Sequence, residues 1–440
     1  MSEESAVLFR WYGPVSTLTG DDMRALCDRS SFTNGSVATR VAEIIAVVRA
    51  NGDSALQALS VELDGVASSS LEIGADALDV ALAGIEPELR RVLGRAAANI
   101  RRVHEAFLPV LQETESEPGV WIGRRPDPLG RVGVYAPGGR AAYPSSVLMG
   151  VIPAHVAGVK EIILCTPPLR ETGRPSDVVL AAARLAGATR VFAIGGAGAI
   201  AAMAYGTESV PRVDRIVGPG NAYVAEAKIQ VASAVAIDSP AGPSELLILA
   251  DSTSDPEVIA RELLAQAEHD PLAAVVAVVA SQEAALRVER AVGDLLASQP
   301  RAEICADALR GQGALVWTES RDEAIAFANR YAPEHLLLLS ADEDVVLQQL
   351  RNAGTVFLGE YASVAFGDYM SGANHVLPTG GLARSYSGLS TLDFVRWTTY
   401  QRISRAAAAH MANDVGVFAD SEGLGGHALA ARAWAEQVGA

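Results

Sequence analysis

From Arg131 to Leu358 short apolar runs alternate with longer stretches of helical periodicity, and this alternation constrains the fold more than any other feature of the chain. Strand-like segments at Arg131 to Tyr135, Glu161 to Cys165, Arg190 to Ile194 and Arg215 to Val217 are separated by helical patterns at Ser146 to Ala157, Asp177 to Ala186, Ala197 to Tyr205 and Ala222 to Val231. A crossover of about a dozen residues or more is what joins two parallel strands, so each step reads as a βαβ unit of a doubly wound sheet. After Ser239-Pro-Ala-Gly-Pro-Ser244 the pattern starts again. Strands are expected at Glu245 to Leu249, Ala273 to Val279, Gly313 to Val316, Leu336 to Leu339 and Thr355 to Leu358, around helices from Pro256, Gln282 to Ser298 and Arg321 to Tyr331. Two α/β units in tandem fit a chain of 440 residues, which is long for one core.

The periphery is helical. Residues 1–30 read as an N-terminal arm with one short helix, Gly20 to Arg29. Apolar positions at helical spacing run from Val37 to Leu59 (Val41, Ile44, Ile45, Val48), and a second such pattern runs from Glu86 to Leu111. These helices have no sheet of their own and are expected to pack on the second α/β unit, giving one domain of residues 31–128 plus 245–384 and another of 129–244. The tail, 385–440, reads as a strandless helical module, with amphipathic stretches around Thr391 to Ala408 and Gly426 to Val438, that reaches another subunit.

A net charge of -17 and a pI near 4.9 exclude nucleic acid and anionic membrane as partners, because both demand a basic surface. Cys27, Cys165 and Cys305 are far apart and form no CxxC pair, and the first residues lack a basic and an apolar leader region, so a reduced, cytoplasmic protein is expected. The longest apolar run, Leu272 to Ala280, is half a membrane span and reads as a buried strand.

Chemistry-bearing residues concentrate in Ala353 to Gly381, where Glu360, Asp368, Asn374 and His375 stand among glycines and Pro378. A solvated linker is the alternative, against which Val364, Phe366 and Tyr369 argue, and the segment is taken as one wall of an active site. In Ser254 to His269, Ser254 and Glu257 form a capping box, and Gln266 and His269 share a helix face with Val258, Ile259 and Glu262. Two polar groups spaced i, i+3 can converge on a metal or can be hydrogen bonded in the core. With Asp368 and a histidine such as His427, which follows a glycine-rich turn, they would make an N/O site suited to zinc. His104 reads as exposed and His155 as a satisfied core residue, while His410 lies in an alanine-rich tail. Ala332-Pro-Glu334-His335 opens a strand, so its adjacent carboxylate and imidazole are either an acid–base pair or a solvated helix stop. Glycine-rich turns at Gly195 to Ala199 and Gly218-Pro-Gly-Asn221 each join a strand to a helix whose amino end can take a phosphate or carboxylate.

Seven segments in this order, GRVGVYAPGG, RIVGPGNAYVAEAK, AGPSE, QAEHD, APEHL, GDYMSGANHVLPTGG and SGLS, resemble the histidinol dehydrogenase family, from about residue 20 to His427. The resemblance implies two incomplete Rossmann-like, doubly wound α/β domains, the N-terminal arm, and a small helical C-terminal module swapped in a homodimer. One zinc ion per subunit would be held by Gln266, His269 and Asp368 together with His427 of the partner subunit. Glu334 and His335 fall on the family's proton-acceptor pair. Ser244, His335 and Glu422 fall on substrate contacts beside the metal ligands, and Tyr135 and Asn221 match contacts to NAD. The family's third NAD contact is a glutamine in GGAQA, and here Gly198 stands in that place. The implied reaction is the four-electron oxidation of L-histidinol through L-histidinal to L-histidine, the last step of histidine biosynthesis. The alternatives are a superfamily relative that oxidises another small alcohol such as a sulfonated diol, a zinc hydrolase with Glu334 as base, and a binding protein without chemistry.

Overall fold

The computed structural model describes residues 8–29, 35–67, 70–138 and 142–436. Residues 1–7 of the expected arm, Gly139 of the turn after Tyr135 and the end of the expected 426–438 helix lie outside these.

Two six-stranded sheets carry the larger part of the fold. In the first, Arg131–Tyr135 is central. The chain steps outward from it through Glu161–Thr166 and Arg190–Ala193, then returns to its other side for Arg215–Val217 and Ala236–Ile237, all parallel. The second sheet repeats this order. From a central Glu245–Ala250 it steps out through Ala274–Val279 and Ala314–Trp317 and returns for His335–Leu339 and Thr355–Leu358, again all parallel. Strands such as Ala274–Val279 and His335–Leu339 are buried along their whole length, since helices cover both faces. Alternate residues feed two cores. Leu246, Ile248, Val275, Ala277 and Leu337 face one side, and Leu247, Leu249, Val276, Val278 and Leu338 the other.

The early helices differ from expectation. Val41, Ile44, Ile45, Val48, Ala55 and Leu56 of Gly35–Leu59 pack into the core of the first sheet, against Gly196–Tyr205 and Ala222–Val231, not onto the second unit. Ala75–Gly84 lies on Asp177–Ala186, and Glu72–Ile73 adds an antiparallel edge strand beside Arg190–Ala193. Chain order alone says nothing about which sheet offers an uncovered apolar face, and here the first sheet did. The expected arm also contributes more than a helix. Trp11–Pro14 pairs in parallel with Ala314–Trp317 as an edge strand, where Pro14 costs no ladder bond, and Gly20–Cys27 follows it.

A separate compact unit comprises Leu108–Leu129 and the chain from Val395 onward. The expected strandless tail is corrected here. Val395–Ile403 is a strand antiparallel to Val120–Pro128, which also pairs with Gln112–Glu117, so the expected helices over 391–408 and up to Leu111 are replaced or cut short. Its sequence, VRWTTYQRI, is rich in β-branched and aromatic residues, a strand preference that outweighs helical spacing. Helices Arg405–Ser421 and Gly425–Glu436 pack on each other.

Two histidines exchange the places expected for them. His155 is exposed, whereas His104 is 2% exposed, at the end of the buried row Leu93, Ala97, Ile100 on helix Pro87–Ala106. Neither ring nitrogen of His104 has a hydrogen-bond partner among the described residues, and burial pushes its pKa down from 6.5 to about 4. The unfolded chain therefore takes up this proton near pH 6.5 and the folded chain only near pH 4, so stability is whole above pH 6.5 and lost as the pH falls toward 4. His104→Leu is expected to narrow the gap between urea midpoints measured at pH 7.5 and 4.5. An unchanged gap would place the acid sensitivity elsewhere.

Candidate active site

In the first sheet the strand order reverses between Arg131–Tyr135 and Arg215–Val217, and the carboxyl ends of strands at such a reversal are where doubly wound sheets open a crevice. Gly218 stands there with φ +118°. A Cβ on it would lie 2.1 Å from the Tyr135 carbonyl oxygen, so only glycine lets the two backbones touch. Its N–H donates to Asp238 Oδ2 (2.7 Å) and its carbonyl accepts from Lys228 Nζ (3.1 Å), with Lys228 and Asp238 paired in the interior. Asn221 caps Ala222–Val231. Its Oδ1 accepts from Tyr223 N (3.0 Å) and Val224 N (3.2 Å), and the residue is exposed. The Tyr135 hydroxyl accepts from Gly196 N (3.1 Å), and burial pushes the phenol up to about 12. Gly198 is buried, and a side chain there would start 3.4 Å from Leu59 and 3.5 Å from Leu56 on the neighbouring helix. This position thus has no side chain to offer a ligand.

In the second sheet chemistry gathers at the opposite, amino ends of the strands. Helix Arg321–Tyr331 ends at Ala332, the one described non-glycine residue with positive φ (52°), and the chain turns sharply through Pro333 and Glu334 into the strand at His335. Glu334 and His335 are 6% and 4% exposed. Glu334 Oε2 accepts from Glu245 N (2.7 Å), and His335 Nδ1 faces the Glu245 carbonyl oxygen at 3.0 Å. Read as Nδ1–H donating to that carbonyl, the contact leaves the lone pair on Nε2. Nε2 is buried without a hydrogen-bond partner among the described residues, 3.8 Å from Asp368 Oδ1. Burial raises the pKa of Glu334, with the His335 charge pulling the other way. Burial alone would lower His335, but the charge of Glu334, 3.4 Å away, its hydrogen bond and Asp368 outweigh it and push the imidazole up to about 9.

The wall segment contains a short helix, Val364–Tyr369, that was not expected. Val364 is buried as its apolar character predicts, but Phe366 and Tyr369 are 59% and 58% exposed. Val364 N donates to Glu262 Oε2 (3.1 Å), which ties the wall to helix Pro256–Ala267. That helix starts on Asp255, whose side chain accepts from Glu257 N (2.8 Å); the expected cap, Ser254, donates instead to the Leu339 carbonyl (3.0 Å). Gln266 on this helix is buried at 3% exposure, and His269, just past its end, is exposed. Asp368 and His269 both act electrostatically on His375, as does His335, and His375 Nδ1 lies 3.1 Å from the Asp368 carbonyl oxygen. Burial is the main cause of a lowered His375 pKa.

The structure therefore brings Glu334, His335 and Asp368 together, with His269 and His375 nearby. Ser244 is half-buried one residue before the central strand. Glu422 and His427 belong to the separate unit, and both are exposed. Among the described residues no three His, Cys, Asp or Glu side chains form a metal cluster. The implied ligands from one chain contain only two of those types, His269 and Asp368, beside the amide of Gln266. This N/O set fits zinc chemistry and asks for a further donor. Glu245 and Arg29 also belong to this site, and motif spacing gives no sign of either. Arg29 pairs with Glu245 at 2.8 Å across 216 positions, and no local pattern signals that.

Residues 27–434 match the histidinol dehydrogenase family. The chain is 47% identical over 403 residues to the histidinol dehydrogenase of Methanothermobacter thermautotrophicus, covering 92% of this chain and 94% of that one. It is 48% identical over 418 residues to that of Halobacterium salinarum, covering 95% and 97%. The crystal structure of histidinol dehydrogenase from Elizabethkingia anophelis has the same fold, with a TM-score of 0.94 at 33% identity over 99% of this chain and 100% of that one.

Proposed function

The chain belongs to the histidinol dehydrogenase family, and from that premise we propose that it oxidises L-histidinol through L-histidinal to L-histidine as the closing step of histidine biosynthesis. Two NAD molecules would be reduced per turnover. The observation that carries the reading is the buried Nε2 of His335, without a hydrogen-bond partner among the described residues, 3.8 Å from Asp368 and backed by Glu334.

Zinc, held by Gln266, His269, Asp368 and His427 of the partner subunit, would anchor the imidazole and amine of the substrate and offset the charge of Asp368. Tyr135, Asn221 and the backbone around Gly198, at the carboxyl edge of the first sheet, would hold NAD, which would supply the hydride acceptor. With the charge of Asp368 offset by zinc, His335 would keep Nε2 unprotonated, and there it takes the hydroxyl proton as the first hydride leaves, giving the aldehyde. Glu334, whose pKa is raised by burial, takes a proton from water as its oxygen bonds to the aldehyde carbon. The hydrate so formed, with one oxygen deprotonated, gives up the second hydride and the proton of its remaining hydroxyl and becomes the carboxylate. Ser244 and Glu422 are the remaining substrate contacts. The exposed apolar residues Val417, Phe418, Leu429 and Trp434 of the separate unit support a homodimer whose C-terminal module is swapped, with the chain from Val395 reaching the partner. Three free cysteines support a reducing, cytoplasmic setting.

Purified protein given L-histidinol and NAD is expected to form two NADH per substrate, and a chelator is expected to stop it. No NADH with L-histidinol but NADH with another small alcohol would move the chain to a different substrate. Hydrolysis without NADH would overturn the redox reading.

A further inference from the structure

Glu245 has no part in the chemistry above, yet it holds both members of the acid–base pair. Its main-chain N–H donates to Glu334 Oε2 (2.7 Å), and its main-chain carbonyl faces His335 Nδ1 (3.0 Å). Its own carboxylate takes four donors. Arg29 Nε (2.8 Å) and Gly380 N (2.7 Å) reach Oε1, and Arg29 Nη2 (2.8 Å) and Glu334 N (3.3 Å) reach Oε2. The Arg29 and Glu245 side chains are 6% and 3% exposed. The guanidinium lies 3.6 Å from the centre of the Tyr331 ring, and Nη2 also donates to the Tyr331 carbonyl (3.1 Å).

One carboxylate thus joins the N-terminal segment, the end of helix Arg321–Tyr331, the turn into the His335 strand and the wall at Gly380. Burying such a pair gains little stability, because desolvation offsets the attraction; what a bidentate arginine–carboxylate contact supplies is fixed geometry. We propose that the Arg29–Glu245 pair is the positioning device of the acid–base site. It clamps the Glu245 backbone, which aims the Glu334 carboxylate and fixes His335 as the Nδ1–H tautomer with a free Nε2. This rests on the reading that Glu334 and His335 perform the acid–base work.

The test compares Glu245→Gln and Arg29→Lys with the parent by steady-state kinetics on L-histidinol, by zinc content, and by NMR of the 15N-labelled histidines, with His335 assigned through His335→Asn. In Glu245→Gln, kcat should fall on the order of 100-fold, with KM and zinc content within about threefold of the parent, and His335 should lose its Nδ1–H preference. Arg29→Lys keeps the charge without the fork and should lose about tenfold in kcat. Normal kcat with an unchanged tautomer in both variants would overturn the proposal, and so would a loss of zinc or of substrate affinity that matches the loss of kcat. If Glu245→Gln is insoluble, Arg29→Lys decides by the same readouts. If the parent does not turn over L-histidinol, the functional reading fails while the tautomer comparison still judges the clamp.

Discussion

Asparagine in place of His335 is expected to lower turnover of L-histidinol by about 10³-fold or more, roughly 4 kcal/mol of barrier, while one zinc ion per subunit is retained. An asparagine NH2 can stand where Nδ1 faces the Glu245 carbonyl oxygen at 3.0 Å, so the fold around the strand has no reason to change. What asparagine lacks is a basic atom at the place of Nε2, which is buried and points toward Asp368. Metal analysis and single-turnover kinetics on the same preparation check the claim. If zinc departs with the imidazole, His335 belongs among the ligands and the proton must go elsewhere.

His427→Ala is expected to release the metal and with it the activity. The residue is exposed on helix Gly425–Glu436, so the fold should lose no more than about 0.5 kcal/mol, and a lost metal would be a local effect. Because the proposed donor comes from the partner, two inactive proteins should rescue each other. Random reassortment of His427→Ala with His335→Asn pairs half of the subunits as mixed dimers with one intact site, about a quarter of the parent activity. Normal metal content in His427→Ala, or no rescue on mixing, would remove the tail from the site.

Much of the central fold could be read from the chain because parallel α/β strands are continuous apolar runs with helices between them. Strands Arg131–Tyr135, Arg215–Val217 and Thr355–Leu358 begin and end where their residues predict. Partnership between distant segments was not legible. Nothing local tells helix Gly35–Leu59 that the core behind Ile163 and Phe192 is open to it, or tells VRWTTYQRI that Val120–Pro128 will pair with it. His104 was legible and misread: Leu93, Ala97, Ile100 and His104 follow one another at helical spacing on the buried face. In the site, Glu334, His335 and Asp368 stood out as unusual residues in short motifs. Glu245 did not, because its role is exercised largely through its backbone and through an arginine 216 positions away.

The parallel pairing of Trp11–Pro14 with Ala314–Trp317 has a consequence for how the molecule is made. Trp11–Pro14 leaves the ribosome some 300 residues before its neighbour. At about 5–20 residues per second this is a wait of roughly 15–60 s. The sheet that carries Glu334 and His335 therefore closes late in synthesis, and until then Trp11–Pro14 is a solitary strand for chaperones to shield.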